Sequence, residues 1–279
     1  MYTNVAEVHR PDSLEEAVRL LSRSDVPTVP LFIGPRPPEG LVAAAAVVDV
    51  SRLGLDAVRV DDAGITLGAA ASLEAVLRSP ISGTPAGAFL AEACQTTAHS
   101  GLRAVASVGG VVTAGDPSDL LLALLALDAV CVVHGPTPRE APLAGFAPQF
   151  GELLVEVRVP APGGTWGGAL ERVSRTPRDR SIVAAAAAMA LEAGACARAR
   201  LAVSGVVAQA ARWLPAEKLL EGEAVTPERL ARAAATVEAE ARPADYHLGD
   251  VAYRRAAGAA LARRALTAAW QRAAHQARA

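Results

Sequence analysis

The chain opens with apolar positions at helical spacing: Leu14, Ala17, Val18 and Leu21 share one face behind a capping box of Ser13 and Glu16. A helix is predicted there, following Pro11. The apolar stretch Val29 to Ile33 predicts a strand that stops at Gly34-Pro35-Arg36-Pro37-Pro38, because proline lacks the ladder donor and glycine permits a turn. Val47, Val48 and Val50 predict a second short strand, and Ile65 to Gly68 a third. Ser72 to Leu77 starts a helix that ends near Ser79-Pro80, and Gly87 to Cys94 begins another. A glycine turn, Ser107-Val108-Gly109-Gly110, leads through Asp116-Pro117-Ser118-Asp119 to an apolar helix from Leu120 to Leu127, and Val130 to Val133 reads as a buried strand.

Beyond Gly135-Pro136 the pattern Leu153 to Pro160 alternates well enough for a strand. A composition shift at Pro162-Gly163-Gly164 divides the chain into an N-terminal domain, residues 1–162, and a smaller one, residues 163–279. In the second part Ile182 to Leu191 and Leu201 to Val207 read as buried strands, although Ala184 to Ala188 has helical propensity as well. Residues 227–241 and 251–273 carry apolar positions three and four apart and are predicted helical. With 52% hydrophobic but only 4% aromatic residues in 279, the core must be built from Ala, Val and Leu, which suits an α/β (α+β) architecture.

Composition narrows the function mainly by exclusion. A net charge of −2 without a run of Lys or Arg offers no footprint for nucleic acid or an anionic membrane. Cys94, Cys131 and Cys196 form no CxxC pair, so no zinc ribbon or iron–sulfur cluster is expected, and three buried thiols fit a reducing compartment. Met1 to Arg10 lacks the apolar block of a secretory signal, and no apolar run reaches membrane length, which together predict a cytoplasmic protein. The five histidines make no i, i+4 ligand pair, so no metal centre is expected.

Candidate chemistry centres on Gly109 and Gly110, where a backbone without Cβ can approach a phosphate and offer it N–H groups. The competing reading is a purely structural tight turn. Asp119 adds a carboxylate able to accept from ribose or ribityl hydroxyls, with helix capping as its alternative and Asp116 and Ser118 as rivals for that role. No nucleophile elbow, Walker loop or GxGxxG is present.

The order of several segments is more specific than any one of them. Arg10-Pro11-Asp12-Ser13-Leu14-Glu15-Glu16-Ala17, Val48-Asp49-Val50-Ser51-Arg52-Leu53, Ser107-Val108-Gly109-Gly110, Asp116-Pro117-Ser118-Asp119-Leu120 and Gly151-Glu152-Leu153-Leu154 follow one another. Val173-Ser174-Arg175 with Asp179, and Tyr253-Arg254-Arg255 with Arg263-Arg264-Ala265-Leu266, complete the series. In this order the chain resembles the FAD-binding middle subunit of the molybdenum hydroxylases, the group of xanthine and carbon monoxide dehydrogenases. The resemblance implies a two-part FAD-binding domain followed by a smaller domain with a three-stranded sheet and helices. It further implies FAD as cofactor, and an oxidoreductase subunit that passes electrons from an iron–sulfur small subunit, fed by a molybdenum-binding large subunit, to an external acceptor.

The site residues implied are Phe32, Ile33, Gly34, Arg36, Ser107, Gly109, Gly110, Asp119 and Arg172. Departures from the family pattern cluster at the same loops. Phe32-Ile33-Gly34-Pro35-Arg36 stands at the usual Ala-Gly-Gly loop, so Pro35 withholds one phosphate donor and Arg36 offers a compensating charge. Val111 stands at the usual asparagine, and Arg172, or with a one-place shift Glu171, at the usual lysine. These changes keep two alternatives open. One is a flavin-free homologue whose more apolar cleft, bordered by Phe32, Ile33, Pro35 and Val111, binds another small molecule for a non-redox conversion such as a cyclisation. The other is a non-catalytic assembly subunit.

Overall fold

The structure, a computed structural model, describes residues 2–3, 5–35, 42–115, 117–176, 179–244 and 249–277. The chain begins with β1 (Tyr2–Thr3), β2 (Glu7–His9), α1 (Leu14–Leu21), β3 (Thr28–Pro30), β4 (Val42–Ala43) and β5 (Ala46–Val48). It continues through β6 (Val58–Asp61), β7 (Gly64–Gly68), α2 (Leu73–Arg78), a 3₁₀ turn (Pro80–Gly83), α3 (Pro85–Thr97) and α4 (Ser100–Arg103). Next come α5 (Val108–Thr113), α6 (Asp119–Ala126), β8 (Val130–His134), β9 (Arg139–Pro142) and β10 (Leu153–Pro160). The second part holds β11 (Thr165–Val173), β12 (Val183–Glu192), β13 (Ala195–Ser204), β14 (Ala211–Arg212), α7 (Leu214–Leu220), α8 (Pro227–Glu240) and α9 (Val251–Gln276).

Three sheets do most of the organising. A small parallel sheet, β2-β5-β3, carries α1, whose Ser13 hydroxyl accepts from the Glu16 amide while Ala17 and Leu21 turn inward. An antiparallel sheet, β6-β7-β10-β8-β9, forms the middle, and an antiparallel sheet, β11-β12-β13-β14, the C-terminal part. The family resemblance called for three strands there; three long ones are present, with the two-residue β14 added at the edge.

Helix α6 explains how the two parts join. All eight of its residues are buried, as expected of a helix apolar all round. It packs against β12 and β13. Along β12, Ala184, Ala186 and Ala188 belong to the N-terminal core, whereas Val183, Ala185, Ala187 and Met189 belong to the C-terminal core under α8 and α9. The alternation is that of a strand covered on both faces, and it overrides the helical propensity of the alanines.

Several expectations need correction. The strand predicted over Val29 to Ile33 ends at Pro30, because after Leu31 donates to the Val48 carbonyl the chain leaves the sheet. The predicted glycine turn at 107–110 is the first turn of α5, with the Ser107 hydroxyl accepting from the Gly110 amide. Ser118, not Asp119, caps α6. The strand expected from Leu201 begins at Ala195, since Ala193 and Gly194, with φ of 49° and 84°, make a two-residue hairpin turn. Val130 to Val133 alternates between half-buried and buried rather than being buried throughout.

Candidate functional site

The first loop and the α5 start form one unit. Ser107 N–H donates to the Ile33 carbonyl at 2.8 Å, and an added Cβ on Gly110 would lie 2.1 Å from that same oxygen and 2.6 Å from the Gly34 nitrogen. On Gly109 an added Cβ would meet the Ala69 oxygen at 2.7 Å and the Phe32 ring at 2.9 Å. Both glycines therefore permit close approach of two backbone segments. Phe32, Ile33, Gly34, Ser107, Gly109 and Gly110 are thus brought together, while Arg36 lies outside the described residues.

The donors are distributed unevenly across this unit. At the start of α5 the amides of Val108, Gly109 and Gly110 already donate to Ala71, to Ala69 and to the Ser107 hydroxyl. A helix start whose amides are all engaged offers no free anion site. In the first loop, by contrast, the amides of Ile33 and Gly34 have no acceptor among the described residues. Two consecutive amides without an acceptor leave donors available to an anionic ligand.

The large side chains near these amides differ in burial. Phe32 is 8% exposed and belongs to the core, Val111 is fully buried, and the Ile33 side chain is 46% exposed. A cavity of about 430 Å³ opens beside the first loop, lined by Thr28, Pro30, Phe32, Gly34 and Gly110 together with residues 148–152. Its size falls within the roughly 300–1,000 Å³ of small-molecule sites. Glu152 anchors the far wall: Arg139 donates to both its oxygens at 2.6 and 2.8 Å, the Gln149 amide adds a third bond at 2.7 Å, and Arg139 holds the carboxyl below its ordinary value. The segment Gly151-Glu152-Leu153-Leu154 figured in the sequence only as part of the family's order of motifs, and nothing there marked residues 148–150 as a cavity wall.

Asp119 and Arg172 form a second unit, at the start of α6. The Asp119 carboxylate is 2% exposed; Oδ1 accepts from Ser181 Oγ at 2.9 Å, and Oδ2 lies 3.2 Å from Arg172 Nε. Arg172 Nε donates to the same serine at 2.9 Å, and another guanidinium nitrogen donates to the Asp179 carbonyl. Sequence reasoning missed Ser181, which no local pattern marks. In this arrangement Asp119 is engaged across the two parts of the chain rather than open to a ligand. Of the other candidates, the exposed His99 caps α4 by accepting from the Leu102 amide. No group of residues able to hold a metal exists among the described residues, and no described helix is long and apolar enough to cross a membrane.

Two amides without an acceptor among the described residues, beside a cavity on an α/β framework that packs against a mixed sheet-and-helix unit, define a two-part protein with a candidate small-molecule site. Residues 3–162 match the family described as FAD binding domain in molybdopterin dehydrogenase, and residues 168–269 match the CO dehydrogenase flavoprotein C-terminal domain. The chain belongs to this family of FAD-binding medium subunits of the molybdenum hydroxylases. It is 29% identical to the carbon monoxide dehydrogenase medium chain of Hydrogenophaga pseudoflava, over 95% of this chain and 97% of that one. It is 32% identical to the 6-hydroxypseudooxynicotine dehydrogenase complex subunit alpha of Paenarthrobacter nicotinovorans, over 80% of each. A solved structure of reconstituted carbon monoxide dehydrogenase from Oligotropha carboxidovorans superposes with a TM-score of 0.86 at 27% identity, over 95% and 98% of the two chains.

The residues present fit FAD at the first loop: the Ile33 and Gly34 amides lack acceptors among the described residues, and Gly34 lines the adjoining cavity.

Proposed function

We propose that this chain is the FAD-holding medium subunit of a cytoplasmic oxidoreductase complex of the molybdenum hydroxylase type, receiving electrons from an iron–sulfur small subunit and passing them to an external acceptor. A molybdenum-binding large subunit would feed the small one. FAD, when bound, supplies the electron-transfer chemistry, and the protein's part is to bind and orient it. The observation that carries the reading is the pair of unengaged amides at Ile33 and Gly34, set beside a cavity inside the family's FAD-binding domain.

Within this reading the candidate residues divide by role. Ile33 and Gly34 donate to the cofactor's phosphates through their amides, and Arg36 adds charge. Ser107, Gly109 and Gly110 shape the site: their hydrogen bonds and lack of bulk hold α5 against the first loop. Phe32 supports the loop from the core. Asp119 and Arg172 place a charged pair at the start of α6, where they orient the two parts about the cofactor.

The test is the absorption spectrum and the extracted-cofactor mass of the purified protein. A yellow protein releasing FAD is expected, and a protein that stays colourless after FAD supplementation and desalting overturns the reading. Purification with tagged large and small subunits checks the assembly, which should copurify in fixed ratio.

A further inference from the structure

The cavity beside the first loop lies wholly against N-terminal residues, and its wall is chemically selective. The two threonine hydroxyls in it are already bonded, Thr28 to the Val26 carbonyl and Thr113 to the Gly109 carbonyl. Its one charged lining residue is Glu152, which Arg139 neutralises. No arginine or lysine lines it among the described residues. A flavin ring gains negative charge on reduction and is served by a nearby cation, and none stands among the described lining residues. A neutral purine needs only a flat apolar slot and one or two polar groups.

The wall supplies both. Phe150 is 70% exposed, an uncommon state for a phenylalanine, and it stands at the cavity with Pro148 and Gln149 beside it. The Gln149 side chain has no partner among the described residues. We propose that this cavity takes the adenosine half of FAD, with Phe150 as the stacking face for the purine and Gln149 addressing its polar edge. The assignment rests on the FAD reading above and makes the chain selective for the dinucleotide over the mononucleotide flavin.

The experiment titrates the full chain, stripped of flavin, with FAD, ADP and FMN by calorimetry and by the change in flavin fluorescence. Phe150→Ala should weaken FAD and ADP roughly tenfold, within the range for loss of base–aromatic stacking, and leave FMN unchanged. Phe150→Trp should restore FAD and ADP, and an unaltered melting temperature in each variant shows that folding is intact. If FAD binds the unmodified chain and Phe150→Ala holds FAD and ADP as tightly, the assignment falls while the FAD reading stands. Equal weakening of FMN and FAD places the flavin ring in the cavity and overturns it as well. Failure of the unmodified chain to bind FAD sinks the reading beneath and the assignment with it.

Discussion

Substitution of Gly110 by alanine tests whether the first loop and α5 are held as closely as described. The added Cβ would sit 2.1 Å from the Ile33 oxygen and 2.3 Å from its carbonyl carbon, where real contacts essentially never fall under 3.0 Å. The loop must therefore retreat by about 1 Å, and the obstructing atoms are backbone, which cannot rotate aside. Helix propensity works in the opposite direction, favouring alanine by up to about 1 kcal/mol. Overpacking of this kind costs roughly 1–3 kcal/mol, and stretching the bond from Ser107 N–H to Ile33 forfeits about 0.5–1.5 kcal/mol more. The net expectation is a loss of roughly 0.5–4.5 kcal/mol, which for a chain of this size, with an unfolding entropy of about 0.6 kcal/mol/K, lowers Tm by about 1–8 °C. FAD affinity should fall with it, because the displaced segment carries the two unengaged amides. Gly83→Ala is the control, since an added Cβ there meets nothing within 4 Å. Circular dichroism melts of both variants decide the matter. If Gly110→Ala melts with the unmodified protein and retains its FAD affinity, the argued close approach is wrong.

Four further outcomes are expected. Glu152→Gln should cost roughly 1–3 kcal/mol at neutral pH by removing the carboxylate charge that pairs with Arg139. Because Arg139 holds the Glu152 carboxyl below the ordinary value of 4.5, its contribution is complete above that pH and fades as pH falls through the lowered value. Melting curves of the two proteins should therefore converge in acid, and a constant gap would contradict the assignment. Asp128→Asn keeps a side chain tolerant of the φ of 54° there but removes the charge bonded to Arg200 at 2.7 Å and Arg212 at 2.6 Å; a loss of about 1–2 kcal/mol in chemical denaturation is expected, since both arginines retain glutamate partners. Ala193→Asn should stabilise by about 0.5–1 kcal/mol, because asparagine accepts the left-handed turn conformation more readily than alanine; an unchanged or lower Tm counts against the turn. Burial pushes the Cys94 and Cys131 thiols up to about 12 and Cys196 to about 11, so none should react with iodoacetamide at pH 8 until the protein is denatured.

Much of the local structure was legible along the chain because local forces set it. The capping box at Ser13 and Glu16, the apolar run entering α6 and the alternation into β10 each announce an element within a few residues. The run Ala184 to Ala188 was not decidable in that way. Alanine favours helix locally, and only burial between α6 on one face and the C-terminal helices on the other makes it a strand.

The candidate site divides along the same line. Glycines at 34, 109 and 110 marked where backbone had to come close, and the order of the motifs identified the family. Which amides remain unengaged depended on partners remote in sequence, such as Ala69 for Gly109 and Ile33 for Ser107. The inward turn of Phe32, the pairing of Asp119 with Ser181 and Arg172, and the cavity wall at 148–152 likewise arise from contacts between distant segments. By itself, then, the sequence determined the elements and the family, since caps, periodicity and glycine positions act over a few residues. Tertiary structure alone decided which donors face open space, because a hydrogen-bonding group is free or engaged only once the chain has brought its neighbours together.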